Sequence, residues 1–145
     1  MRIALLSNRS SGRGRHAAAD DVARRLLTEA GHEVLHVRGS SYEQARCAGR
    51  ALLGDGPHRN VEALVVVGGD GMVHLGVDIV ATTGVPLGIV ATGTGNDIAR
   101  HFGLPSRDAE ASARLINQAL SGKGAITAVD AIYASRPDGT LLAPQ

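Results

Sequence analysis

At 145 residues the chain is the size of one ordinary domain, long enough to bury a real core. Hydrophobic residues make up 43% and charged residues 20%, a globular balance that excludes a disordered polypeptide. Fifteen basic residues against fourteen acidic ones leave a formal charge of +1. Near-neutrality argues against nucleic acid as partner, because a phosphate-tracking surface needs a clustered basic excess.

In chain order, strand-length apolar runs alternate with helix-length segments, the pattern of a parallel sheet covered by helices. Ile3 to Leu6 is the first predicted strand, too short an apolar run for a signal peptide. A polar, glycine-bearing loop follows from Ser7 to Gly14. Arginines crowd around it (Arg9, Arg13, Arg15, Arg24, Arg25), interrupted by Asp20 and Asp21, which fits a local anion site at most. His16 to Ala30 is patterned as a helix, with Val22, Leu26 and Leu27 on one face and Gly31 as its stop. Glu33 to Val37 reads as a second strand. Tyr42 to Leu53 reads as a second helix, ended by Gly54-Asp55-Gly56-Pro57. The single cysteine, Cys47, cannot form an internal disulfide, so a reducing compartment and a cytoplasmic location are expected. Its alanine neighbours suggest a small buried thiol rather than a nucleophile.

Ala63 to Val67 is continuously apolar, as a strand buried on both faces should be. Gly68-Gly69-Asp70-Gly71 breaks it, and a helix is expected from Met72 to Ala81. Pro86 to Val90 is a fourth buried strand, followed by Gly93-Thr94-Gly95-Asn96-Asp97 and a short helix to His101. Ala109 to Leu120 is patterned as another helix and Ile126 to Tyr133 as a strand. Pro137-Asp138-Gly139 marks a turn before Thr140 to Leu142, so the chain is expected to end inside a hairpin. No stretch approaches the roughly 20 apolar residues of a membrane span. There is no internal repeat. His32 and His36 are four apart, but on a predicted strand, where that spacing does not make a metal pair.

Three of the loops follow strands and are rich in glycine or small hydroxyl residues. In open α/β sheets ligands sit beyond the carboxyl ends of the strands, so all three are expected along one rim. In Gly68 to Gly71 the glycines let main-chain N–H groups approach phosphate oxygens, with the next helix pointing its positive end there. Asp70 is repulsive beside phosphates unless Mg²⁺ lies between; otherwise it is an ordinary cap of the following helix. In Gly93 to Asp97, Thr94 can donate to a phosphate, and Asn96 or Asp97 can cap the next helix or hold a metal-bound water. In Asn8 to Gly14 the donors can surround an anion. Taken singly, each loop is better read as a plain turn. The three in succession are not.

At these residues the chain resembles the diacylglycerol kinase catalytic family, which includes sphingosine kinases and bacterial lipid kinases. The carriers are Asn8 to Gly12, Val66-Val67-Gly68-Gly69-Asp70-Gly71, and Pro86 to Arg100 with its Ala-Thr-Gly-Thr-Gly-Asn-Asp core. Ala128-Val129-Asp130 is similar to the strand end that enters the family's second domain. The resemblance implies a two-domain kinase. An α/β unit, similar to that of NAD kinases and phosphofructokinases, would occupy residues 1–125, and residues 126–145 would begin the connection into a β-sandwich lacking from this chain. ATP would lie between the two domains. Carried over by position, nucleotide contacts are expected from Asn8, Ser10, Ser11 and Gly12, from Ser40, from Gly69, Asp70, Gly71, Met72, Val73, His74 and Leu75, and from Thr94. Asp70, Asp97 and Asp130 match a network that holds Mg²⁺ largely through water, with Asp70 acting at the phosphates. The lipid alcohol, taken up at a membrane surface, and the general base belong to the second domain, so this chain alone is expected to be inactive, and its unpaired strand to favour self-association.

Where the family usually has threonine, asparagine and glutamate, this chain has Met72, His74 and Leu75. Two other classes stay open. One is a non-catalytic nucleotide-binding module or fragment. The other is an NADP-binding Rossmann-like domain, built on Gly12-Arg13-Gly14-Arg15-His16-Ala17 and Arg38. The latter leaves the other two loops unexplained.

Overall fold

The computed structural model describes residues 1–7, 14–37, 39–54 and 60–129. Strands β1 (Arg2–Ser7), β2 (Glu33–Val37), β3 (Ala63–Gly68) and β4 (Leu87–Ala91) form one sheet in the order β2-β1-β3-β4, and every pairing is parallel. Helices α1 (Arg15–Glu29), α2 (Tyr42–Leu53), α3 (Asp70–Val80), α4 (Asp97–His101) and α5 (Ala109–Leu120) cover it. The α/β parallel-sheet class expected from the sequence is the one observed.

β3 lies at the centre of the sheet, and every residue of it is buried. Its side chains alternate between two cores, as a period of two requires. Leu64 and Val66 join Ala4, Leu6, Val73 and Ile79 on the side of α2 and α3. Ala63, Val65 and Val67 join Ile3, Leu5, Ala23, Leu27 and Ile116 on the side of α1 and α5. Each such buried valine, leucine or isoleucine contributes about 1.5–3 kcal/mol relative to exposure, which explains the uninterrupted valine run. From β1 the chain steps outward to β2, then crosses back past β1 to β3 and on to β4. That reversal places α1 and the α2–α3 pair on opposite faces, as right-handed crossovers demand. α3 can lie close on the sheet because Gly76 has no side chain: a Cβ there would come 2.6 Å from Val66 Cγ1.

Three expectations change. α3 begins at Asp70 rather than Met72, so Asp70 and Gly71 form the helix's first turn instead of a loop. Cys47 is exposed, not buried. α2 turns Ala45, Gly49 and Leu53 inward, and Cys47, two positions from both Ala45 and Gly49, falls on the opposite side. Residues 126–129 form no strand, and Ile126 and Val129 are 60% and 59% exposed. The remainder of that expected strand, through Tyr133, and the hairpin beyond it lie outside the described residues. Among the described residues no helix is long and apolar enough to cross a membrane.

Candidate functional site

The strand ends are in step. Ser7 pairs with Val67 and Gly68 with Ala91, so β1, β3 and β4 deliver their following segments to the same rim. The order reverses between β1 and β3, and the crevice outside the carboxyl ends at such a switch point is where open α/β sheets bind ligands. Gly68 to Gly71 therefore flanks the switch point directly.

Tertiary contacts join the loops. The segments after β3 and β4 meet backbone to backbone: a Cβ on Gly93 would lie 2.6 Å from Gly69 Cα. Only glycine at position 93 permits that approach, whereas a Cβ on Gly69 would stand 3.4 Å from Gly93 Cα, an ordinary contact. The Thr92 amide donates to the Gly68 carbonyl at 2.9 Å, continuing the strand pairing into the loop. The buried Thr92 hydroxyl is also hydrogen-bonded to His16 Nδ1 in the first turn of α1. α1 thus enters the same rim, locked to the start of the Gly93-Thr94-Gly95 loop. Asn96, only 2% exposed, sits in the left-handed region (φ 54) and donates from Nδ2 to the Gly93 carbonyl at 2.8 Å and to Ser106 Oγ at 2.9 Å.

Asp70 caps a helix, but not its own. Its Oδ2 accepts from the Asp97 amide at 3.0 Å and its Oδ1 from the Ile98 amide at 3.3 Å, so it caps α4 across the gap between the two loops. Asn96, in the N-cap position of α4, makes no side-chain cap bond. The Asp70 carboxylate therefore faces Asp97, with Gly95 between them: a Cβ on Gly95 would lie 3.3 Å from Asp70 Oδ2 and 3.8 Å from Asp97 Oδ1. Asp97 is paired with Arg100. Two carboxylates close to one point are oxygen ligands suited to Mg²⁺, which keeps several waters and needs few protein ligands. Among the described residues no three acidic, histidine or cysteine side chains cluster as a direct metal cage. The pair fits an ion held through water better than one chelated outright.

The remaining expected residues divide. Gly71 is exposed on the first turn of α3, with open space where a Cβ would be, and Thr94 is exposed on its loop. His74 is half-buried on α3. Met72 packs its stem against Gly68 and the core. Val73 and Leu75 are 2% and 4% exposed and belong to the core, which leaves their side chains facing away from any ligand at the rim. Ser40 gives its hydroxyl to Gln44 Oε1 at 2.6 Å, beside Ser41, which caps α2. Asn8, Ser10, Ser11, Gly12 and Asp130 lie outside the described residues, as does Arg38. Thr92 belongs to the glycine-rich Pro86 to Arg100 motif and His16 only to the dinucleotide alternative, and neither is assigned a ligand contact from sequence; they are 76 positions apart, and nothing local marks them as a pair.

A family model described as the diacylglycerol kinase catalytic domain matches residues 2–130. Curated proteins named diacylglycerol kinase, from two strains of Mycobacterium tuberculosis, are each 36% identical over 115 residues, 79% of this chain. The chain spans 36% of their length. Solved structures of a candidate diacylglycerol kinase from Bacillus anthracis str. Sterne superpose with TM-scores of 0.63 and 0.64 at 26% and 24% identity, over 81% of this chain and 39% of theirs.

Proposed function

The chain belongs to the diacylglycerol kinase catalytic-domain family, and from that premise we propose that it is the ATP-Mg-binding part of a lipid kinase, which transfers the γ-phosphate of ATP to a lipid hydroxyl such as that of diacylglycerol. The observation that carries the reading is the meeting of two glycine loops, one of which flanks the sheet's switch point, with the Asp70 carboxylate beside them.

In this reading the first turn of α3, with Gly71 exposed, presents main-chain donors and a positive helix end to the phosphates. Thr94 adds a donor from the neighbouring loop. Phosphoryl transfer asks mainly for positioning and charge neutralisation, and both are served by rigid loops. Asp70 and Asp97 would hold Mg²⁺ through water, and the ion would neutralise the phosphates. Asp70 is itself fixed by α4, so its carboxylate is pre-oriented rather than free to collapse onto a phosphate. The Asn8 to Gly12 segment would close the phosphate site, and Asp130 would join the aspartate network. The lipid alcohol and the general base are assigned to the rest of the family's catalytic unit. The dinucleotide alternative needs its first glycine directly after the strand, whereas β1 ends at Ser7, well short of Gly12.

Calorimetric titration with ATP, ADP and NADP tests the reading. Adenine-nucleotide binding with no NADP heat is expected; tight NADP binding without ATP binding would reverse it.

A further inference from the structure

Among the described residues three that are not glycine hold positive φ: Thr82, Asn96 and Arg107. Thr82 lies in the turn after α3. The other two aim at one atom. Asn96 Nδ2 and Arg107 Nε both donate to the Gly93 carbonyl oxygen, at 2.8 and 3.2 Å, filling its two lone pairs. A left-handed conformation costs free energy in a residue with a Cβ and persists where the surroundings over-determine it. Arg107 is so determined: its amide donates to the Ala91 carbonyl at 2.8 Å, and the next residue, Asp108, caps α5. The strained turn at φ 56 accompanies a side chain that returns to the loop. No carboxylate pairs with Arg107 among the described residues, so its bond to Gly93 is not the by-product of an ion pair.

The peptide plane gives this bond a consequence. In a trans peptide the carbonyl and the following N–H point to opposite sides of one rigid plane. Pinning the Gly93 oxygen therefore also fixes the direction of the Thr94 amide. Gly93 is also the residue on which the Gly69 backbone rests, so the fixed plane lies where the two glycine loops meet. We propose that Arg107 is a positioning residue for nucleotide: with Asn96 it clamps the Gly93 carbonyl and so presents the Thr94 amide as an oriented donor to the triphosphate of ATP. This rests on the ATP reading given above. Arg107 acts through the loop, and its charge is incidental.

Two substitutions separate the hydrogen bond from the charge. Arg107→Gln places an amide NH₂ where Nε stands and removes the charge. Arg107→Lys keeps the charge and places a methylene there. With the 145-residue chain, affinities for ATP and AMP are measured by calorimetry in both variants and the parent, alongside melting temperatures. Arg107→Lys is expected to bind ATP about fivefold more weakly, the range of one hydrogen bond, with AMP unchanged, while Arg107→Gln stays within about twofold of the parent. The reverse ranking, Lys retaining and Gln losing, would replace positioning by direct charge on the phosphates. Equal losses for ATP and AMP, or none in either variant, would also overturn the inference while leaving the ATP reading intact. A parent that binds neither nucleotide would overturn both.

Discussion

Gly93→Ala tests the meeting of the two loops. The added Cβ would lie 2.6 Å from Gly69 Cα and 3.0 Å from Asn96 Oδ1. Carbon atoms in contact prefer about 3.5–4.0 Å, so the overlap with Gly69 is about 1 Å. Gly69 Cα is main chain and has no rotamer to give, and Asn96 is held by two bonds of its own. Relief must come from moving one loop by about 1 Å. Overpacking of that kind costs about 1–3 kcal/mol, or about 3–10 °C in melting temperature for a chain of this size. ATP affinity is expected to fall about tenfold, because donors displaced by about 1 Å no longer meet the phosphates in line. The control is Gly71→Ala, where nothing lies within 4 Å of the new methyl group and φ is not positive. Its stability should hold or rise by up to about 1 kcal/mol, as alanine is the better helix former. Its ATP affinity should nevertheless fall, because the methyl group occupies the surface assigned to phosphate. The assays are thermal unfolding and nucleotide calorimetry. Gly93→Ala melting and binding like the parent would refute the loop contact; Gly71→Ala with unchanged ATP affinity would remove the phosphates from α3.

Leu75→Ala should cost about 2–5 kcal/mol, the range for a buried leucine, yet leave ATP affinity of the folded protein within about twofold, since its side chain is core; chemical denaturation and calorimetry read the two effects. His32 has its pKa held below the ordinary 6.5, chiefly by burial and then by the N-terminal ammonium. The unfolded chain therefore takes up the proton first, and stability should fall as pH drops below about 6.5 until the folded His32 also titrates. Melting curves from pH 7.5 to 5 should show this slope, flattened in His32→Gln; an unchanged slope in that variant would assign it elsewhere. The 145-residue chain should bind ATP but transfer no label from it to diacylglycerol in mixed micelles; robust turnover would place a lipid site and base within it.

The continuous apolar runs made the sheet readable, because a strand buried on both faces leaves no other pattern: Ala63 to Val67 was recovered to within one residue of β3. α2 and α5 were recovered at both ends, each with a side-chain cap from Ser41 or Asp108. The glycine loops were visible for the same local reason. What those loops do to one another was not. Asp70 reads in sequence as a cap for the helix it begins, whereas its partners are the amides of Asp97 and Ile98, 27 and 28 positions away. The His16–Thr92 bond and the clamp on the Gly93 carbonyl likewise depend on the fold bringing distant residues together. Val73 and Leu75 entered the site by position in a motif, although helical phase turns them toward the sheet. Cys47 failed for a related reason, since small neighbours do not say which side of a helix faces the core.

Asp70→Asn addresses the central claim most directly, with ATP affinity measured in parent and variant, each with Mg²⁺ and with chelator. Asparagine offers one carboxamide oxygen to the two α4 amides and turns an NH₂ toward the other. A stability loss of about 1 kcal/mol is expected from the one amide left without its acceptor, in both metal conditions. If Asp70 also orders Mg²⁺ at the phosphates, the variant must lose most of the gain in ATP affinity that Mg²⁺ gives the parent, while its metal-free affinity stays close to the parent's. A variant that keeps the full Mg²⁺ gain would leave Asp70 as a helix cap and contradict its place in the nucleotide site.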